Sequence, residues 1–235
     1  MEFIMNNGIS KEIVMSKSNK KIGIVIALAA ALSGCGETSD ELDDKLTHNA
    51  KITFINSLNY MADFYLDKRS ISTGYSGLFD NDNAVSRDVP FNEVGITYGY
   101  SYKVINNMIN LGVRDSINGN NEERITTTLS NGDNLWVIAW KDSNDSTLSV
   151  ISKKKSNNAD VFNVRLFANG NYNVSVANSN VLTTEKGKVT EYLKISDCAE
   201  GLKVADKVID LCSGDFGASY LLVVDANGKL VMAEE

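Results

Sequence analysis

The sequence predicts an all-β protein, two tandem antiparallel β-sandwich domains behind an N-terminal apolar segment and a polar tether. Three observations carry this. Apolar and polar residues alternate at period two over long stretches after residue 50, the pattern of half-buried antiparallel strands. The strands are short and regularly spaced, punctuated by Asn and Gly, with Pro90 the only proline, which points to a sandwich or barrel. The pattern also restarts after residue 160. A shift of 112 positions lays V-R-L-F-A-N-G-N-Y-N-V-S-V over I-T-F-I-N-S-L-N-Y-M-A-D-F, with Val164, Leu166, Val174 and Val176 over Ile52, Phe54, Ala62 and Phe64. Matched apolar phase at a fixed offset suggests two copies of one domain. Any two β-domains can be laid in phase this way, so the topology of the two halves is the test.

Residues 1–34 read as a segment outside the fold. Lys20 and Lys21 precede an apolar run from Ile22 to Leu32, which ends in Leu32-Ser33-Gly34-Cys35. The run is shorter than the about 20 apolar residues of a bilayer span. It lacks the polar positions at helical period that a core helix shows, and it has the order of a signal peptide: positive flank, apolar stretch, small residues. Met15 stands just ahead of S-K-S-N-K-K and fits a true start, with residues 1–14 as an upstream extension. Leu32 to Cys35 resembles the lipobox of bacterial lipoprotein signal peptides. The resemblance implies cleavage before Cys35, lipidation of its thiol with palmitate-type chains, and attachment to a membrane through the N-terminal lipid. Each buried methylene adds about 0.8 kcal/mol, and stable anchoring takes more than one chain. Gly36 in place of the retention aspartate implies the outer membrane, on its periplasmic or surface face, if the envelope is Gram-negative. Residues 35–49 are then the lipidated N-terminus and an acidic tether.

The chain carries a formal charge of −7, and removal of residues 1–34, with four lysines and two glutamates, leaves −9. That balance argues against nucleic acid as a partner and against electrostatic adhesion to anionic lipid. With Cys35 assigned to lipid, Cys198 and Cys212 remain. An oxidising compartment favours their pairing as a disulfide. The alternative, a metal or redox pair, lacks both C-x-x-C spacing and a nearby histidine.

In chain order, Ile52 and Phe54 alternate with Lys51 and Thr53, and Ala62, Phe64 and Leu66 with Asp63, Tyr65 and Asp67. Val94, Ile96, Tyr98, Tyr100, Tyr102 and Val104 share one face of a strand, opposite Gly95, Thr97, Gly99, Ser101 and Lys103. Strands follow at Arg124 to Leu129, Leu135 to Trp140 and Leu148 to Ile151, the first two joined by the turn Ser130-Asn131-Gly132-Asp133. The Leu135 to Trp140 strand is apolar on both faces, which predicts a central strand covered on its second side by the other domain. The polar stretch Lys153 to Asn158 is read as the boundary, giving domains over residues 50–155 and 156–235. In the second, Phe162, Val164 and Leu166, then Tyr172, Val174 and Val176, restart the alternation. Val189 to Ile195 and Tyr220 to Val224 also read as strands, with Asp225-Ala226-Asn227-Gly228 as a hairpin turn. Ala199 to Leu211 fits a short helix or an irregular hairpin equally.

The run Ala50 to Asp67 resembles the opening of a bacterial extracytoplasmic domain of unknown function, whose repeats run V-R-V-V-N-A-S and then V-D-V-Y-V-D-G. Ile52, Phe54, Ile55 and Asn56 match the first part, and Ala62 to Asp67 the second. Leu129 to Trp140 is similar to that family's L-x-x-G-x-x-Y-T-V-x-A-x-G strand pair. Lys68 stands where the family has a turn glycine, and Ser175 near the place of its aspartate in the second copy. The resemblance implies immunoglobulin-like sandwiches, often in tandem on lipoproteins, with no established catalytic residues.

No constellation points to catalysis. The single histidine, His48, falls in the tether, away from any triad; no P-loop, dinucleotide fingerprint, H-E-x-x-H or G-x-S-x-G occurs. No cofactor and no metal are expected. Asp80-Asn81-Asp82-Asn83 and Asp142-Ser143-Asn144-Asp145 could offer oxygen to calcium, but turn formation explains both. The tyrosine stripe and the pair Trp136 and Trp140 suit core packing, with a sugar-stacking platform as the alternative. The expected role is a non-enzymatic, lipid-anchored cell-envelope protein that binds an envelope protein or glycan through loops such as Gly74–Asn83 and Asn118–Glu123, or that is structural. The alternatives are an envelope hydrolase using paired carboxylates, or a subunit of a larger envelope assembly.

Overall fold

The computed structural model describes residues 46–70, 72 and 74–235. Cys35, the apolar segment and all but the last residues of the tether lie outside the described residues. Among the described residues, every regular element is a strand or a single 3₁₀ turn.

The first half holds β1 (Thr47–Asn56), β2 (Ala62–Lys68), β3 (Ala84–Val89), β4 (Glu93–Lys103), β5 (Met108–Asp115), β6 (Glu123–Thr128), β7 (Asn134–Asp142) and β8 (Asp145–Ser152). They form two four-stranded sheets, ordered β4-β1-β7-β8 and β3-β2-β5-β6. Ile52, Phe54, Phe64, Leu111, Val113 and Val137 belong to the core these sheets enclose.

The second half holds β9 (Phe162–Ala168), β10 (Asn173–Val176), β11 (Ser179–Thr183), β12 (Leu193–Ile195), β13 (Leu202–Val204), β14 (Lys207–Val208), β15 (Ser219–Asp225) and β16 (Gly228–Glu234). Its sheets run β12-β9-β15-β16 and β11-β10-β13-β14. Adding eight to every strand number of the first half reproduces this order. The parallel pairing of β1 with β7 recurs as β9 with β15. The offset seen in the sequence is therefore a repeat of topology, and the protein is two β-sandwich-like units of one design.

The two units join through equivalent faces. On β1 and β7, Ile52, Phe54, Leu135, Val137 and Ala139 point into the first core. Ile55, Trp136, Ile138 and Trp140 point the other way and pack with Phe167, Leu221, Val223, Val231 and Ala233 of the second unit. Phe167 occupies the repeat position of Ile55, and Leu221 and Val223 those of Trp136 and Ile138. The second apolar face of the tryptophan strand is covered by the second unit, as its composition predicts. Residues Lys45–Glu235 consequently form one compact body.

Two local readings change, and one open alternative is decided. Strand β1 begins at Thr47, so His48 pairs with Tyr102 and packs edge-on against its ring at 5.7 Å. The stripe on β4 is not continuous, because the β1–β4 register shifts between Thr53 and Ile55. Tyr98, Tyr100 and Tyr102 face the first core. Beyond the bulge Val94 and Ile96 are exposed, and Gly95 turns inward, where an added Cβ would lie 2.7 Å from Ser86 Oγ. An extra residue on one strand inverts every side chain that follows. Between the cysteines, where the sequence fits a short helix and a hairpin equally, β13 and β14 form the hairpin, a tight one with Ala205 and Asp206 both at positive φ.

Candidate functional site

Cys198 and Cys212 form a disulfide with their Cα atoms 4.8 Å apart. It links the β12–β13 connection to the β14–β15 connection, beside the backbone hydrogen bond from Leu211 N–H to Cys198 O. In the first unit the backbone hydrogen bond from Leu129 N–H to Asn107 O joins the corresponding connections, with no disulfide among the described residues. Cys35 lies outside the described residues.

The loop Gly74–Asn83, expected as a contact loop, is packed down. Leu78 is fully buried, and Phe79 meets the Tyr65 ring edge-on at 5.2 Å. Gly112 makes room for this, since a Cβ there would sit 2.8 Å from the Phe79 ring. Beneath the loop, Asn110 donates to Gly74 O and accepts from Thr126, and Tyr75 OH bonds Thr126 Oγ1. Asp63 accepts from Tyr65 OH and from Asp88 N–H. Burial first, and then the Asp63 charge, raise the Tyr65 pKa. The outer face of sheet β3-β2-β5-β6 is thus a covered polar layer.

Both Asx-rich clusters are turns. Asp80 O accepts from Asn83 N–H, and Asn83 Nδ2 donates to Gly77 O. Asp142 and Asp145 close the β7–β8 hairpin, where Asp142 pairs with Lys186 of the second unit. Among the described residues, no three His, Cys, Asp or Glu side chains gather as a metal-ligand set. The Asn118–Glu123 loop follows a turn in which the Asp115 carboxylate accepts from Ile117 N–H at 2.8 Å and Asn118 N–H at 3.2 Å. The Ile117 bond does most to lower its pKa, with burial opposing.

The tyrosine stripe is half core. Burial raises the Tyr100 and Tyr102 pKa values, and the two rings stack at 5.9 Å. Trp136 is enclosed between the units, with Lys153 Nζ 3.6 Å from its ring centre. Trp140 donates to Ser149 Oγ and meets Phe167 edge-on. Neither tryptophan is presented as a sugar platform.

Two polar features were not visible in the sequence pattern. Arg165, 1% exposed, holds Glu235 through Nε and Nη2 at 2.7 Å each and donates to Ser152 O. Glu235 also accepts from Lys154 N–H, Ser156 N–H donates to Ser219 Oγ, and Tyr192 OH donates to Lys154 O. The polar boundary stretch is therefore pinned to the second unit. Asn56, fully buried, donates to Tyr60 O and Val89 O and accepts from Leu58 N–H, which ties the β1–β2 connection to the end of β3. It stands at the asparagine of the V-V-N-A-S resemblance.

At the junction of the units lies an open cleft of about 320 Å³, lined by Ser57, Asn59, Phe91, Asn92 and Lys141 from the first and by Asn169, Asp225 and Leu230 among others. Phe91 is 60% exposed. Asp225 is its only carboxylate and is already engaged by Asn227. A second cleft, of about 260 Å³, carries Glu122 and Glu123, adjacent in the chain, with Arg124 and Phe79. Neither sets two carboxyl groups on opposite walls. Domain junctions are common ligand sites, and this cleft sets an aromatic ring among asparagine amides. No family model matches the chain, and no curated protein matches it.

Proposed function

We propose that this is a lipid-anchored cell-envelope protein with a non-enzymatic binding or structural role. The observation that carries the reading is the back-to-back packing of two same-topology sandwiches into one body, pinned at Arg165–Glu235 and closed by a disulfide. A rigid body with loops at its ends is a scaffold for recognition, and disulfides persist in oxidising compartments. Cys35 is the acylation site in this reading, and the junction cleft around Phe91 the place where an envelope protein or glycan is met.

The architecture supports an immunoglobulin-like description, two four-stranded sheets enclosing a core in each unit, with the first unit of about a hundred residues and the second shorter. Its strand order is its own. The seven-strand arrangement groups the first, second, fourth and fifth strands, whereas here the first, fourth, seventh and eighth share a sheet.

Growth of cells with an alkynyl palmitate analogue tests the anchor. Wild-type protein is expected to take up label and sediment with membranes, and Cys35→Ser to do neither. An unlabelled, cytosolic wild type that retains residues 1–34 and free thiols at Cys198 and Cys212 overturns the reading.

A further inference from the structure

One end of the first unit has a composition that the role above does not use. The described chain enters the fold at Leu46, whose carbonyl accepts from Val104 N–H. Val104 opens the 3₁₀ turn between β4 and β5, Ile105 follows it, and Met108 begins β5. All four are exposed, and Ile105, at 89%, is the most exposed large apolar side chain of the described residues. Ile105 and Met108 line a shallow depression of about 570 Å³ together with Lys68 and Arg69, both also exposed. Apolar tips beside basic side chains are the composition of a surface that enters the headgroup region of a bilayer, where stems are buried and charges stay at the phosphates.

The position of the patch names its occupant. Only residues 36–45 separate Cys35 from Leu46, so this end can lie no more than about 40 Å from the acylated cysteine. The opposite end, marked by Ile117 (77% exposed) in the β5–β6 connection, is a further strand length of about 26 Å away. We infer that the Leu46, Val104, Ile105 and Met108 end of the first unit, with Lys68 and Arg69, rests on the phospholipid surface to which Cys35 is anchored. Contact fixes the orientation of the body and turns the Ile117 end outward. The protein's acidity does not oppose it, because apolar burial supplies the contact and the charged residues that line the depression, Lys68 and Arg69, are both basic. The inference rests on the lipid-anchor reading.

The two can be tested apart. Full-length mature protein, purified with its acyl chains, is reconstituted into vesicles of phosphatidylethanolamine and phosphatidylglycerol. It carries a nitroxide on a single introduced cysteine, Ile105→Cys or Ile117→Cys; Cys35 is acylated and the other two cysteines are paired. Both positions are exposed, so folding is undisturbed. The expected result is relaxation by oxygen over a nickel chelate at position 105, with the reverse at 117, and loss of the position-105 signature on Lys68→Glu/Arg69→Glu/Met108→Asp substitution. Equal nickel accessibility at 105 and 117 on acylated protein overturns the inference and leaves the anchor standing. Dipolar broadening at position 105 assigns the patch to a second copy and also overturns it. Absence of acyl chains on Cys35 removes the anchor and the inference together.

Discussion

The two sandwiches share a topology and differ in what lies between their strands. In the first, the β2–β3 connection is long and folds back as a lid, burying Tyr65, Asp63 and Asn110 on the outer face of its sheet. In the second, the corresponding β10–β11 connection is a tight turn at Ala177 and Asn178. The matching outer face is left to Ser175 and Asn180, which bond each other in solvent. A similar trimming turns the β5–β6 connection into the turn at Ala205 and Asp206. A smaller unit buries a smaller fraction of its surface. The disulfide stands where the first unit needs only a backbone hydrogen bond, because a trimmed domain gains more from a covalent staple.

The largest expected effect breaks the face that the units share. Trp136→Ala empties the centre of the junction, and a buried aromatic of this size costs about 3–5 kcal/mol. Its repeat equivalent, Leu221→Ala, should cost about 2–5 kcal/mol. Urea unfolding of both variants checks this. If the units were independent, each variant would destabilise only its own unit, and hydrogen exchange would show protection lost on one side. Loss on both β7 and β15 in either variant is the expected result.

Next in size is the staple. Cys198→Ser/Cys212→Ser should cost about 3 kcal/mol, the chain-entropy value for a loop of this length. The amides of Leu211 and Gly201, which bond across or beside the closed loop, should lose protection first, while Leu129 in the first unit keeps its own. Equal loss at Leu129 and Leu211 would show that the staple serves the whole body and not the trimmed unit.

The turns themselves sharpen the contrast in the stabilising direction. Ala205 sits at φ +49° and Ala177 at the same angle, each opening a two-residue hairpin. Such turns take Gly or Asn there, since a Cβ in the left-handed region is strained. Ala205→Gly should raise stability by roughly 0.5–1 kcal/mol, relief of strain outweighing the entropy that glycine adds to the unfolded chain. A fall in the urea midpoint would show that the angle is not strained in solution.

Much of the core was legible because period two is a local signal. Ile52, Phe54, Phe64, Leu166 and Val174 needed no knowledge of their neighbours, and Trp136 announced a second covered face because Leu135, Val137 and Ala139 already supplied the first. What stayed hidden was non-local. The bulge in β4 at Gly95 and Ile96 depends on pairing with β1. The lid depends on Phe79 meeting Tyr65 and Gly112. Arg165 finds Glu235 seventy residues away, and its repeat position holds Thr53, so the repeat gave no warning of it. The junction cleft draws on separate connections of both units, and Phe91 carried no signal beyond being an aromatic after the only proline.

The smallest effect concerns the longer turn that the second unit lacks. Asp115 is held below the usual carboxylate range, chiefly by the Ile117 N–H and further by Asn118. A depressed folded-state pKa means that the carboxylate stabilises the fold fully above its unfolded value. That contribution fades as pH falls through the unfolded value towards the folded one, because the unfolded chain takes up the proton first. Wild type should therefore exceed Asp115→Asn in stability at pH 7 by a small margin that shrinks below about pH 4. The neutral amide keeps an acceptor oxygen for Ile117 but loses the charge. Urea midpoints of the two proteins from pH 7 to pH 3 measure the margin, and exchange at the Ile117 and Asn118 amides locates it. A margin that stays constant with pH would mean that the turn is held by its geometry and not by its charge, and the β5–β6 connection could then be trimmed to the Ala205–Asp206 pattern at no cost in pH dependence.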